Sequence, residues 1–352
     1  TQTHPHKAVF IMMNNLIEIL ATLSTSLSLR EGARKLGIPH SSLSRLVRRL
    51  EEKGRFKAVF NYTELGLLPS LIIAEWTSIP DRIIEGTVSV RSGYSFGSRA
   101  LIITALVPNN LLDSYYLKHI KELGITPLTV VRGLEYWRWN PSTASVTYID
   151  CKVPGRGFNV IDRFLPIYSE LEKKILTENM PPQPVRYSKT APDPYDLALL
   201  FNFWMKSPWE PKSIPIYAIK DGLKPISNKR ISDHWRRHLL PYWLYNTFIP
   251  YLNMSQVPPR IYVLKGRDIY GVARTLSSIP YTYSAMIDVD KVAIITQMPC
   301  ALHIDLYKLL STFDISMEYD LLLAPSLVKW APRLWRFVRK RGKRWEWCEP
   351  KL

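Results

Sequence analysis

Cysteine is scarce in this chain. Cys151, Cys300 and Cys348 lie far apart, and no two have the spacing of a metal knuckle or a redox pair. A disulfide scaffold is excluded, and a reducing cytoplasm is the expected setting. Long apolar runs are lacking too. The best candidate, 8–23, is interrupted by Asn14, Asn15 and Glu18, so no membrane span is expected, and no secretory signal pattern is read. The G-x-x-x-x-G-K loop that cradles phosphates is missing. Acidic residues are also short: 30 Asp and Glu stand against 47 Lys and Arg, a formal charge of +17 with a pI near 9.7. Such a surplus attracts phosphate backbones. Basic chains also bind RNA, membranes and acidic partners, so charge alone does not choose among these.

What the chain does have is a helix-turn-helix pattern between Ser28 and Leu67. Ser28 can cap a helix, with Glu31 three residues on in the manner of a capping box. Ala33 and Leu36 give that helix an apolar side. Gly37 supplies a turn that needs left-handed backbone. Ser41 and Ser42 open the next helix, in which Leu43, Val47 and Leu50 share one face. Ser44, Arg45 and Arg48 fall on the other face, with Arg49 and Lys53 at its flanks. Hydroxyls and arginines so placed can reach base edges and phosphates. Gly54 ends the helix, and Phe56–Phe60 reads as one strand of a small wing. An earlier helix, about Phe10–Leu23, would complete a three-helix core with Leu16, Ile19, Leu20 and Leu23. The bland alternative is an amphipathic helical hairpin with a solvated basic face.

This stretch resembles the leucine-responsive regulatory protein / AsnC family of transcription regulators. Ser41–Gly54 is similar to that family's recognition helix, and Lys57–Leu67 to its wing and the link to its sensing domain. Pro39 departs from the pattern, standing where the family offers a serine-type cap. The resemblance implies a following βαββαβ domain that dimerises and often binds an amino acid. The segment beyond fits: a strand at Ser70–Thr77, a short helix from Pro80-Asp81 through Ile84, strands at Tyr94–Phe96 and Arg99–Val107, a helix from Asn109 or Asn110 to Leu123, and a closing strand at Leu128–Trp137.

The pattern then recurs. Ala33, Lys35, Gly37 and Ile38 return as Ala218, Lys220, Gly222 and Leu223. Leu43-Ser44 and Val47-Arg48-Arg49 return as Ile231-Ser232 and Trp235-Arg236-Arg237. Thr87-Val88-Ser89 is matched by Thr275-Leu276-Ser277, and Ile102-Ile103-Thr104 by Ile294-Ile295-Thr296. The expected fold is therefore α+β: a winged helix-turn-helix plus a ferredoxin-like βαββαβ domain, present twice, as in a tandem-duplicated, archaeal-type member of the family. Its domains would be 8–66 and 67–140, a connector helix and Pro-rich linker over 141–194, then 195–256 and 257–330, and a basic tail over 331–352. In that tail Trp330, Leu334, Phe337 and Val338 suggest a helical stripe among arginines and lysines, either a docked helix or a phosphate clamp.

Other motifs carry less. Gly93-Tyr94-Ser95-Phe96-Gly97 matches the G-x-S-x-G elbow, but a strand follows where the elbow needs a helix, so a turn is expected. His234 and His238 share a helix face at chelating spacing, with no third ligand evident nearby, which favours a structural role. The Tyr136-Trp137-Arg138-Trp139 run could stack bases or be buried in a sheet.

The reading is a sequence-specific regulator that binds double-stranded DNA as an intramolecular pseudo-dimer, with no enzymatic role and no cofactor or metal. Its contacts would be His40, Ser41, Ser42, Ser44, Arg45, Arg48, Arg49 and Lys53 in the first module, with Lys229, Arg230, Arg236 and Arg237 in the second. Transcription machinery is a further candidate partner, as is a second copy of the chain; a small-molecule effector stays open and no membrane partner is expected. The alternatives are a replication-origin or chromatin-organising protein, or a winged-helix factor that docks on the transcription machinery.

Overall fold

The computed structural model describes residues 16–80, 84–143, 168–184, 190–254, 256–298, 300–329 and 332–350. The start of the expected first helix, the short helix after Pro80, the first part (160–167) of the expected connector helix and the middle of the Pro-rich run lie outside them. The chain is mixed α+β around a large antiparallel sheet. Among the described residues no helix is long and apolar enough to cross a membrane.

Three short helices come first: α1 (Leu16–Ser24), α2 (Leu29–Lys35) and α3 (His40–Glu51). Leu16, Ile19, Leu20, Leu23, Ala33, Leu43, Val47 and Leu50 are buried together, as the three- and four-residue spacing requires. Ser28 accepts from the Glu31 amide at 3.1 Å, while the Glu31 carboxylate takes the Leu27 amide at 2.9 Å, one residue before the position a capping box uses. Pro39 is the N-cap of α3 and makes no side-chain cap. Gly37 has φ +64° and Gly222 has φ +99°, so both turns use backbone that only glycine adopts at little cost.

After α4 (Lys118–Glu122) and α5 (Tyr168–Thr177), the latter falling within the expected connector helix, the second helical group has α6 (Pro194–Met205), α7 (Ile216–Lys220) and α8 (Asn228–His234), which runs into a π-turn at Trp235–Leu239. Pro194, the last proline of the linker run, opens α6, where its missing N–H costs nothing. Strand β1 (Gly54–Phe60) does not form a wing hairpin of its own. It pairs antiparallel with β7 (Trp243–Pro250), so the two helical groups share one two-stranded ribbon.

The nine-stranded sheet has β2 (Leu67–Glu75), β3 (Thr87–Ser95), β4 (Ser98–Pro108), β5 (Pro127–Arg132) and β6 (Glu135–Trp137) from the first half. From the second it has β8 (Arg260–Gly266), β9 (Thr282–Ile287), β10 (Val292–Thr296) and β11 (Ile315–Lys329). The order is β5-β2-β4-β3-β11-β8-β10-β9-β6. Alternation along each strand gives it two apolar faces. Leu68, Ile72, Leu101 and Ile103 face Tyr115, Tyr116 and Ile120 of the helical segment 109–122. Tyr262, Leu264 and Ile294 pack with Val272 and Leu276 of α9 (Ile269–Ser277) and Leu306 of α10 (Cys300–Leu310). The residues between them, Leu71, Ile73 and Ile102, meet Ile261, Val263 and Ala293, so the two parts of the sheet share an inner layer.

Three expectations change here. The single closing strand divides at Gly133, whose backbone lies against Pro69; β6 then leaves the first half and pairs with β9. Thr87-Val88-Ser89 begins a strand, whereas Thr275-Leu276-Ser277 ends helix α9, so that pair of the repeat is coincidental. The tail is not a helix. After a 3₁₀ turn at Leu334–Phe337 it forms a hairpin of β12 (Val338–Arg341) and β13 (Arg344–Trp347). Arg333 and Arg336 are held by Asp221, and Arg336 also by Glu85, so these two are paired with carboxylates rather than open for a phosphate. The G-x-S-x-G stretch is a turn: it joins β3 to β4 through Phe96-Gly97.

Candidate functional site

The cleft between the two helical groups has a volume of ≈340 Å³. Its first wall is Leu27, Ser28, Leu29 and Arg30 at the start of α2, with His40 at the start of α3. The opposite wall is Phe203 of α6, the loop residues Pro208, Trp209, Glu210 and Lys212, and Trp235 of the π-turn. Local chemistry fixes this loop across the gap. Trp209 packs edge-on against Phe56 with ring centres 4.8 Å apart, and its indole N–H donates to the Ser26 carbonyl at 3.3 Å. Trp235 lies over Phe203 at 4.5 Å with the planes 32° apart. Lys212 sits 4.3 Å above the Phe203 ring and donates to the Ser207 carbonyl at 2.8 Å. Burial pushes its amine down to about 8; Glu210 works against the shift and Lys206 with it. An amine so tuned is present in both protonation states near neutral pH.

Deeper in the second group, α6 and α8 bring together the residues that could hold a metal ion: Asp193, Asp196, His234 and His238. Sequence spacing found the two histidines, but Asp196 lies 38 positions before the first of them, with Asp193 earlier still, and both escaped it. Trp209 and Lys212 were missed because an irregular loop carries them and no periodic pattern marks it.

The residues expected to read DNA are spread along two helices. Ser41, Arg45, Arg48 and Arg49 are exposed on α3; Ser42 and Ser44 are half-buried on it, and Lys53 is half-buried just beyond it. Lys229, Arg230, Arg236 and Arg237 are exposed on α8 and the π-turn. His40 alone of the twelve lines the cleft. A helix-turn-helix pattern establishes helix packing; what the packed helices bind depends on the groups set between them.

No family model matches the chain, and no curated protein does. Two solved structures are similar over most of their length. One is the siroheme decarboxylase NirDL, 12% identical, covering 89% of this chain and 91% of that one at a TM-score of 0.39. The other is the same enzyme in co-complex with an iron-uroporphyrin III analogue, 13% identical, covering 90% and 92% at a TM-score of 0.37. Both are structures of an enzyme, one with a porphyrin ligand. The expectation of a DNA-binding transcription regulator without enzymatic activity is corrected accordingly.

Proposed function

We propose that this chain is an enzyme that binds a flat, carboxylate-bearing small molecule in the cleft between its helical groups. The observation that carries this is the pairing of aromatic walls with basic groups. Trp209 and Trp235 bring aromatic surface to the cleft beside the Phe203 ring that Trp235 and Lys212 cover, while Arg30, His40 and Lys212 offer positive charge or hydrogen-bond donors. Ring faces favour a planar ligand and the cations favour an anionic one. A volume of ≈340 Å³ is within the range of small-molecule sites. Lys212, held near pH 8 by burial, would give or take the proton at the reacting atom.

The test is a titration of tryptophan fluorescence with flat acids of rising size, iron-uroporphyrin III among them, followed by analysis of the bound acid for chemical change. Quenching that saturates and is lost in Trp209→Leu supports the reading. Equal quenching by the variant would end it.

For the architecture, we infer a twofold repeat of a winged-helix group and a four-stranded α/β unit on the Lrp/AsnC plan. The strand order β5-β2-β4-β3 in one half is the order β11-β8-β10-β9 in the other, which supports the repeat. The shared ribbon β1–β7 and the pairing of β3 with β11 support an internal pseudo-dimer.

A further inference from the structure

Four potential ligand atoms converge where α6 meets α8: one oxygen each from Asp193 and Asp196 and one ring nitrogen each from His234 and His238, all within 4.8 Å of one another. His234 Nδ1 lies 2.8 Å from Asp196 Oδ1 and 3.5 Å from Asp193 Oδ2; His238 Nδ1 lies 3.0 Å from Asp196 Oδ2. The two aspartates divide their work. Asp193 Oδ1 caps α6 by accepting the amides of Tyr195 and Asp196, which leaves Oδ2 turned toward the histidines. The Asp193 amide donates to Asp196 Oδ2 and orients that carboxylate. The Asp196 side chain is only 3% exposed. Two neighbouring carboxylates in such a place need positive charge, and among the described residues their ion partners are these two histidines. A backbone feature marks the same spot. The helix carrying His234 passes directly into a π-turn carrying His238, a distortion that recurs at functional sites. In α3, by contrast, the matching positions are the apolar Leu46 and Leu50 of a regular helix.

We propose that Asp193, Asp196, His234 and His238 form a site for a divalent transition metal of the zinc type, with two imidazole nitrogens and two carboxylate oxygens as ligands. Such a donor set suits Zn²⁺ and its first-row neighbours better than Mg²⁺ or Ca²⁺, which favour oxygen alone. The ion would tie α8 to α6 and thereby fix Trp235, the next residue in the chain and a wall of the cleft. The assignment stands independently of what the cleft binds.

The experiment uses the full, untagged chain stripped with a chelator. Zn²⁺ is titrated calorimetrically, and Co²⁺ is added in parallel to read the visible absorption of a tetrahedral site. The variants are His238→Ala, whose side chain is 48% exposed and removable without a cavity, and the near-isosteric Asp196→Asn. The expected result is one strong equivalent of Zn²⁺ in the parent chain and intense Co²⁺ bands. Both variants should bind at least about tenfold more weakly, since even outer-shell changes cost that much, and should lose the bands. No binding by the parent chain, or binding and spectra unchanged in His238→Ala, would overturn the proposal. If Asp196→Asn does not fold, His238→Ala still decides.

Discussion

The side-chain amide of Asn246 on β7 donates to two carbonyls of the other half, Leu23 at 3.1 Å and Ser26 at 2.9 Å. Asn246 is buried, so these bonds pin the end of α1 to a strand more than two hundred residues away. Replacing it with leucine keeps the volume but leaves both carbonyls without this donor in a dry place. The expected loss is about 1–3 kcal/mol, read as a lower urea midpoint with an unchanged slope.

The same ribbon makes a sharper steric prediction. A methyl group on Gly54 would lie 2.6 Å from the Ile249 carbonyl oxygen and inside contact distance of the Phe248 ring. The carbonyl is fixed by the pairing of Gly54 with Pro250. Gly54→Ala should destabilise by roughly 1–3 kcal/mol through overpacking, while Gly97→Ala, with open space around it, should lose less and only through its backbone conformation. Thermal unfolding of the two variants side by side checks the order.

How far the sequence disclosed all this depends on the range of the contact. Leu43, Val47 and Leu50 announced α3 because helix periodicity is local, and the β-branched apolar run around Ile102-Ile103-Thr104 announced β4 for the same reason. Gly37 and Gly222 marked their turns by a steric need that one residue carries alone. The pairing of β1 with β7 and of β6 with β9 was illegible, because an edge strand's partner is set by the global packing of the sheet. The tail's arginines suggested phosphate binding until Asp221 and Glu85, both distant in sequence, were seen beside Arg336. The aspartates beside His234 and His238 and the cleft failed to show for the same reason: each is assembled from segments with no shared period.

Asp221 illustrates the electrostatic consequence. Burial alone would raise its carboxyl, but the hydrogen bonds from Arg336 and Trp335 and the charges of Arg336 and Arg333 outweigh this and hold it below the usual range. A depressed folded value means that the folded state releases this proton more readily than the unfolded one. The stability so gained is present above the ordinary value of 3.8 and is lost as pH falls toward the depressed one. Asp221→Asn should therefore lower stability at neutral pH and lessen its loss on acidification below about pH 4. Urea unfolding at pH 3, 4 and 7 measures both effects; a parallel downward shift of the whole curve would contradict the sign.

Lys212 gives the opposite limb. Its amine falls from 10.5 to about 8 through burial, so between those values the unfolded chain holds a proton that the folded chain has released. By linkage, stability rises with pH across that window, and below about pH 8 the folded state carries the cost of a partly buried ammonium. Lys212→Met keeps the stem over Phe203 and removes the charge. The variant should gain stability relative to the parent at pH 7, and that gain should shrink steadily toward pH 10. The same substitution should weaken binding of an anionic ligand in the cleft, with the deficit greatest where the parent amine is protonated. Denaturation and ligand titration at pH 7, 8.5 and 10 read both. A stability difference independent of pH would mean that the lysine is solvated rather than enclosed, and the cleft would lose its acid–base group.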